Sequence, residues 1–259
     1  MDKKVILISI DGVRSDGLRQ CGNPFLCQLE QRCAYTYQAS SVFPSVTFPC
    51  HFSMSHSVPP ERHGILTNTY VPQVRPVDGI FEKIRQAGGV SSMFYGWEQM
   101  RDIALPGTLK FAGFMNDYMA QSVDTILTDM ALENIRNYHP DFLFLYLPET
   151  DDKGGHDCGW MSEQYLKQVS IALDNVRRVM EEFGQEYTVI LMTDHGGHDR
   201  AHGTKMPEDM TIPLFCCGPD FEPGKRLDGA SLLDIAPTIA AVMHVMPDPA
   251  WEGRSLIEI

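Results

Sequence analysis

Apolar residues in this chain gather into short unbroken runs, and several of these runs empty directly into polar, glycine-bearing segments. VILISI stands before Asp11, FLFLYL before PETDDKGGH, and TVILM before TDHGGH. Continuous rather than alternating apolar character marks strands covered on both faces, as in a mostly parallel sheet between two helical layers. The runs predict strands at 4–10, 90–95, 141–147, 187–193 and 212–217. Between them the period lengthens to three or four residues. Leu166, Val169, Leu173, Val176, Met180 and Phe183 predict a helix over 161–183 that Gly184 ends. Further helices are expected near 24–34, 48–56, 78–87, 122–137 and 231–244. The expected fold class is therefore α/β, a three-layer α/β/α sandwich with a mostly parallel central sheet. Its least regular stretch is 69–118.

No linker, repeat or low-complexity stretch interrupts the 259 residues, so one catalytic domain spanning 1–259 is expected. The net charge of −13 argues against a nucleic-acid polymer as partner, because such surfaces need a clustered basic face. An anionic small molecule must then be attracted locally, which bound metal cations would do. The seven cysteines are odd in number and show no CxxC spacing, which reads as reduced thiols in a cytoplasmic protein. MDKK precedes only a short apolar run before Asp11, unlike a signal peptide, and no run approaches the ~18 apolar residues of a membrane span. A membrane partner is not expected, and the sequence is silent on oligomeric state.

The candidate chemistry lies where the apolar runs end, the usual location of sites in open α/β sheets. Asp11 closes the first run, in IDGVR. In FPSVTFPCH (43–51), Thr47 stands at an expected helix N-cap with Pro49 in the first turn. A hydroxyl there lies beside free N–H groups where a phosphate binds, but it needs activation to act as a nucleophile. In TDHGGHDRAHG (193–203), Asp194 and His195 leave a strand together and the chain curls at Gly196–Gly197. DDKGGH (151–156) offers a second carboxylate and imidazole beside glycines that permit a tight turn. Carboxylates and histidines in these numbers suit two divalent metals acting on a phosphoryl group.

The ordered motifs IDGVR, FPSVTFPCH, ERHGILTN, TDDKGGH, TDHGGH and AHGT resemble the nucleotide pyrophosphatase/phosphodiesterase family of the alkaline phosphatase superfamily. IPLFCCGP and LLDIAPTIA fit its closing strand and helix. The resemblance implies an alkaline phosphatase-like domain holding two divalent metal ions, zinc or else manganese. It implies one metal on Asp11, Thr47, Asp194 and His195, and a second on Asp152, His156 and His202. Asp152 is chosen over Asp151 because the family places this aspartate four residues before its histidine; His202 is chosen over His198 because the family's last ligand precedes glycine. The implied activity is hydrolysis of a phosphodiester or pyrophosphate bond in a nucleotide-like or other small phosphate ester, through a phosphothreonyl intermediate on Thr47. Asn68, with the Phe48 N–H, is implied to hold the transferred phosphoryl group.

Cys50 replaces the family's asparagine, and only seven residues separate His195 from His202, so a smaller, more open pocket is expected. No arginine follows Thr47 in its helix, which favours a diester over a dianionic monoester. Arg14, Arg62 and Arg200 near the motifs keep a phosphomonoesterase or phosphonate hydrolase as the alternative. A metal-dependent nucleotide-binding module is the non-enzyme alternative, and a sulfatase is disfavoured because its C-x-P-x-R motif does not occur. Trp97, then Tyr70, are the candidates for stacking on substrate. His51, His56, His63, His139 and His244 read as packing or surface residues.

Overall fold

All six residues of the first apolar run are buried, and they form the middle strand of a seven-stranded sheet. The structure is a computed structural model and describes residues 1–257. Its strands are β1 (Val5–Ile10), β2 (Ala34–Ser40), β3 (Ser91–Tyr95), β4 (Leu109–Phe114), β5 (Phe142–Leu147), β6 (Thr188–Met192) and β7 (Thr211–Cys217), in the order β2-β7-β6-β1-β5-β3-β4. The five strands from β6 to β4 are mutually parallel, whereas β7 runs antiparallel to both β6 and β2.

Alternate residues of each central strand supply two separate cores. Val5, Leu7, Phe144 and Tyr146 pack on α3 (Thr47–His56), α5 (Ile80–Gln86) and α9 (Ile235–Val242). Ile6, Ile8, Leu143 and Leu145 face α1 (Ser15–Gln20), α2 (Phe25–Arg32), α6 (Val123–Tyr138) and α7 (Glu163–Phe183). The short helices α4 (Pro60–His63) and α8 (Pro207–Met210) lie in connections. This is the three-layer sandwich expected of unbroken apolar strands.

The strands β2 and β4 fall outside the predicted set, and both are edge strands of the sheet. Exposed residues interrupt their burial, so neither carries the unbroken apolar run used to find the others. Thr47 is the first residue of α3, not its cap; Val46 holds that place, and its side chain makes no capping bond.

Strand register sets the site. Ser9 pairs with Tyr146 on one side and Met192 on the other, so the chain leaves β1, β5 and β6 at one level. The loops that follow are tied by a single indole. Trp160 donates its Nε1–H to the Gly12 carbonyl (2.8 Å) and lies so close to Gly155 and Gly197 that an added Cβ at either would fall 2.5 or 2.2 Å from the ring. Glycine at both positions is required by this close approach.

Trp160→Ala should therefore destabilise the protein by about 3–5 kcal/mol, the usual cost of emptying a buried aromatic site. Urea denaturation of metal-stripped protein measures this. A loss under about 1 kcal/mol would show that the three loops hold their places without the indole.

Candidate metal centre

Asp11 follows β1, Asp194 and His195 follow β6, and Thr47 comes from the first turn of α3, which packs on one face of the sheet. All four side chains are buried. His195 Nε2 lies 3.4 Å from Asp11 Oδ1, 3.2 Å from Asp194 Oδ2 and 3.2 Å from Thr47 Oγ1. Ligands ~2.0–2.1 Å from a zinc ion at tetrahedral angles sit about 3.3 Å apart, so these separations are edges of a zinc-sized polyhedron.

A second group forms beside it. Asp151, His195 and His202 bring ligand atoms within 4.8 Å of one another, as do Asp11, Asp194 and His195. His156 Nε2 approaches Asp151 Oδ2 at 3.3 Å, and the His202 ring stacks on His195 with centroids 3.9 Å apart. The carboxylate in this group is thus Asp151 rather than Asp152. Residues Thr150–His156 form a π-helix. In a π-helix the i→i+5 bond brings residues five apart to one face, as four-residue spacing does in an α-helix. Asp151 and His156 are five apart. The four-residue rule selected Asp152, which lines the adjoining cavity beside Asp151 but belongs to neither three-residue group.

Hydrogen bonding fixes which histidine nitrogens face the centre. Nδ1 of His195 lies 2.8 Å from Gly196 O, Nδ1 of His156 3.0 Å from Arg200 O, and Nδ1 of His202 2.9 Å from Ser45 O. A carbonyl can only accept, so each Nδ1 carries hydrogen, and Nε2 is the nitrogen that each ring turns inward and can offer to a cation once it is unprotonated. Asp11 Oδ1, Asp194 Oδ2 and Asp151 Oδ1 are buried without any hydrogen-bond donor. Inward imidazole nitrogens facing donorless carboxylate oxygens fit divalent cations.

Without cations the electrostatics are strained. Burial, then the neighbouring Asp194 and Asp151 charges, push the Asp11 carboxyl well above the usual range. Burial with the Asp151 charge moves Asp194 up to about 7. Burial and the His202 ring lower His195 to about 3. Burial opposes ionisation of Asp151 too, but its bond to His156 and the nearby His195 and His202 hold it below the ordinary value. The same bond, against the effect of burial, raises His156 to about 9.

The centre opens into a cavity of about 590 Å³ lined in part by Thr47, Asn68, Trp97, Tyr146 and His202. Thr47 Oγ1 is free of capping and points at His195. Asn68 Oδ1 accepts from the Phe48 N–H (3.0 Å), which orients the Asn68 amide but occupies the N–H expected to bind phosphate directly. Tyr70 lines a different cavity, with Phe52 and His56. His198 is engaged by Asp209 at 2.7 Å. His51 and His63 are buried in hydrogen bonds to Ser9 and Ser53.

Sequence reasoning missed Tyr146, whose hydroxyl donates to Asp11 Oδ2. Its place in an apolar strand disguised it, although its level beside Ser9 follows from the strand register. Arg14 pairs with Asp16 and Arg62 with Glu252, and neither lines the cavity.

Two family models match the chain: type I phosphodiesterase/nucleotide pyrophosphatase over residues 5–87, and the metalloenzyme superfamily over 80–247. Human ectonucleotide pyrophosphatase/phosphodiesterase family member 1 is 25% identical over 217 residues, covering 74% of this chain but 23% of that protein. The human bis(5'-adenosyl)-triphosphatase ENPP4 is 23% identical over 240 residues, 83% of this chain and 50% of the relative. The chain thus spans half the length of these relatives or less. Among solved structures, an inactive form of murine ectonucleotide pyrophosphatase/phosphodiesterase 5 in complex with AMP superposes with a TM-score of 0.81 at 15% identity, covering 96% of both chains.

Two outcomes follow from the geometry. Asp151→Asn should lower bound metal from two ions per chain toward one, while Asp152→Asn should leave it unchanged, as read by elemental analysis; the reverse result restores the four-residue assignment. Metal must also displace the protons that the raised groups hold near neutrality, His156 at about 9 and Asp194 at about 7. Binding should therefore release protons, and zinc affinity should climb with pH up to about 9. Calorimetry in buffers of different ionisation enthalpy measures the release, and pH-independent affinity would contradict it.

Proposed function

Because the chain belongs to the nucleotide pyrophosphatase/phosphodiesterase family of metalloenzymes in the alkaline phosphatase superfamily, we propose that it is a cytoplasmic two-metal hydrolase of small phosphodiesters or pyrophosphates. The observation that carries this reading is the set of three oxygens spaced 3.2–3.4 Å from one inward imidazole nitrogen, one of them an uncapped hydroxyl. Asp11, Thr47, Asp194 and His195 would hold the first metal. Asp151, His156 and His202 would hold the second, with Asp151 taking the place first given to Asp152. Two divalent ions, zinc or manganese, would offset the carboxylate charge, favour an ionised hydroxyl and stabilise oxygens that gain charge.

The protein's own groups then divide the work. Thr47 Oγ1 attacks phosphorus in line, the bond to the departing oxygen breaks, and phosphate remains on Thr47 until water removes it. The first turn of α3 places its positive dipole end beside the phosphoryl oxygens. Asn68, with Oδ1 held by Phe48 N–H, has its Nδ2 free to donate to a non-bridging oxygen. His51 receives no catalytic role: it spans Ser9 Oγ (2.9 Å) and Thr47 O (2.8 Å), fastening the start of α3 to β1.

Charge favours a diester. Lys153 is the one lysine or arginine lining the cavity among the described residues, and it is ion-paired to Glu149. A dianionic monoester therefore finds no dedicated cation beyond the metals. The seven cysteines are all free thiols, which supports the cytoplasmic placement. Among the described residues no helix is long and apolar enough to cross a membrane.

Thr47→Ala should reduce turnover of every ester by orders of magnitude, with Thr47→Ser retaining part of it. Near wild-type turnover by Thr47→Ala would instead favour direct attack by water. Asn68→Ala should lower kcat for a nitrophenyl diester by roughly 10²-fold or more. With metal saturating, kcat/KM should be higher for that diester than for nitrophenyl phosphate. A monoester preference would make the protein a phosphomonoesterase of the same superfamily, and binding without turnover a nucleotide-binding module.

A further inference from the structure

Two thiols meet at the end of the sheet remote from the metal centre. β7 runs antiparallel to β6, so its last residue, Cys217, lies at the opposite end from Asp194. The β2–β7 register pairs Ala34 with Cys216, and the next position outward sets Cys33 opposite Cys217. Cys33 has the extended backbone of a strand residue (φ −108°, ψ 153°). Tyr35 spends its N–H on Lys225 O (2.9 Å) and its carbonyl on the Leu227 N–H (3.0 Å), both on the side away from β7. Tyr35 and Phe215 are therefore a non-hydrogen-bonded pair, and two residues outward Cys33 and Cys217 are another. Such pairs hold their Cα atoms about 4.5 Å apart with the side chains close, a separation that a disulfide spans.

Alternation along the strands selects these two thiols. Cys33 and Cys217 both belong to the core under α1, α2, α6 and α7, whereas Cys216 and Cys50 belong to the core on the other face. With Cys33 1% and Cys217 8% exposed, only a small reagent reaches them. As a thiol, Cys217 donates to Arg32 O at 3.6 Å; as a thiolate it accepts from Cys33. That bond, against burial and with the help of the Arg32 charge, lowers Cys217 to about 7 and raises Cys33 above the ordinary thiol range. One sulfur is thus the nucleophile and the other its proton-bearing partner. We infer that Cys33 and Cys217 form a reversible oxidation site, closed to a disulfide by a small hydroperoxide, that staples the edge strand β2 to β7.

The chemistry runs in two steps. Cys217 sulfur attacks one oxygen of hydrogen peroxide, the O–O bond breaks, and the departing hydroxide takes up a proton to become water. Cys33 sulfur then attacks the Cys217 sulfenic acid and loses its proton as the S–O bond breaks and a second water leaves. The thiols give up two electrons, which the peroxide accepts, and a thiol reductant reverses the change.

Zinc-loaded protein treated with equimolar hydrogen peroxide, alkylated and digested without reduction provides the test. Mass spectrometry should find the Cys33 and Cys217 peptides joined with the loss of two hydrogens, and dithiothreitol should separate them. Cys33→Ser should stop Cys217 at the sulfenic acid, which dimedone traps, and Cys217→Ser should leave Cys33 unoxidised. The wild-type map needs no variant, so it decides the matter even where a serine variant fails to fold. Because the link closes most of the chain into one loop, the oxidised wild type should melt about 5 °C or more above the reduced form. Both thiols still open to alkylation after peroxide, a link from Cys217 to any other cysteine, or an oxidised form that melts no higher would overturn the staple.

Discussion

Three buried carboxylates, Asp11, Asp151 and Asp194, converge at the carboxyl end of the sheet with oxygens that no donor reaches. Their mutual repulsion in a water-poor setting is the constraint around which the centre is organised. Each histidine spends one nitrogen on a backbone carbonyl and turns the other inward, where it can face the carboxylates. Divalent cations would offset that repulsion. This is why the loops need fixed geometry: Trp160 clamps the segments after β1, β5 and β6, and Tyr146 gives Asp11 its one donated hydrogen bond.

Much of this was legible in the sequence for a simple reason. Strands buried on both faces are unbroken apolar runs, and their ends mark where polar residues can gather. Asp11, Thr47, Asp194, His195 and His202 were expected together on that ground and on motif order, and the fold brings their side chains to one end of the sheet. The edge strands β2 and β4 were missed because exposed positions interrupt them, and edge strands have no continuous signal to read. Tyr146 and Trp160 were missed because an aromatic in an apolar run or after a glycine has no local mark of function; only tertiary contacts reveal their hydrogen bonds. The choice between Asp151 and Asp152 turned on the local helix type, and two adjacent identical side chains offer periodicity nothing to distinguish them.

The start of α3 shows a similar economy of backbone. Thr47 keeps its hydroxyl unspent because Val46 occupies the cap position, and His51 secures the helix start from behind. Burial lowers His51 to about 4, so the ring stays neutral near pH 7 and adds no charge beside Asp194, 3.5 Å away. Two side chains one helical turn apart thereby differ in use: His51 fastens the helix, and Thr47 faces His195.

The π-helix at Thr150–His156 bears on how such a site can diversify. An extra residue in an α-helix rotates everything after it by about 100°, which would carry a ligand out of reach. A π turn confines the extra residue to one loop of backbone, so Asp151 and His156 still face each other while Asp152 stands outside the two ligand groups. A residue added within such a turn therefore need not carry the side chains on either side of it out of each other's reach.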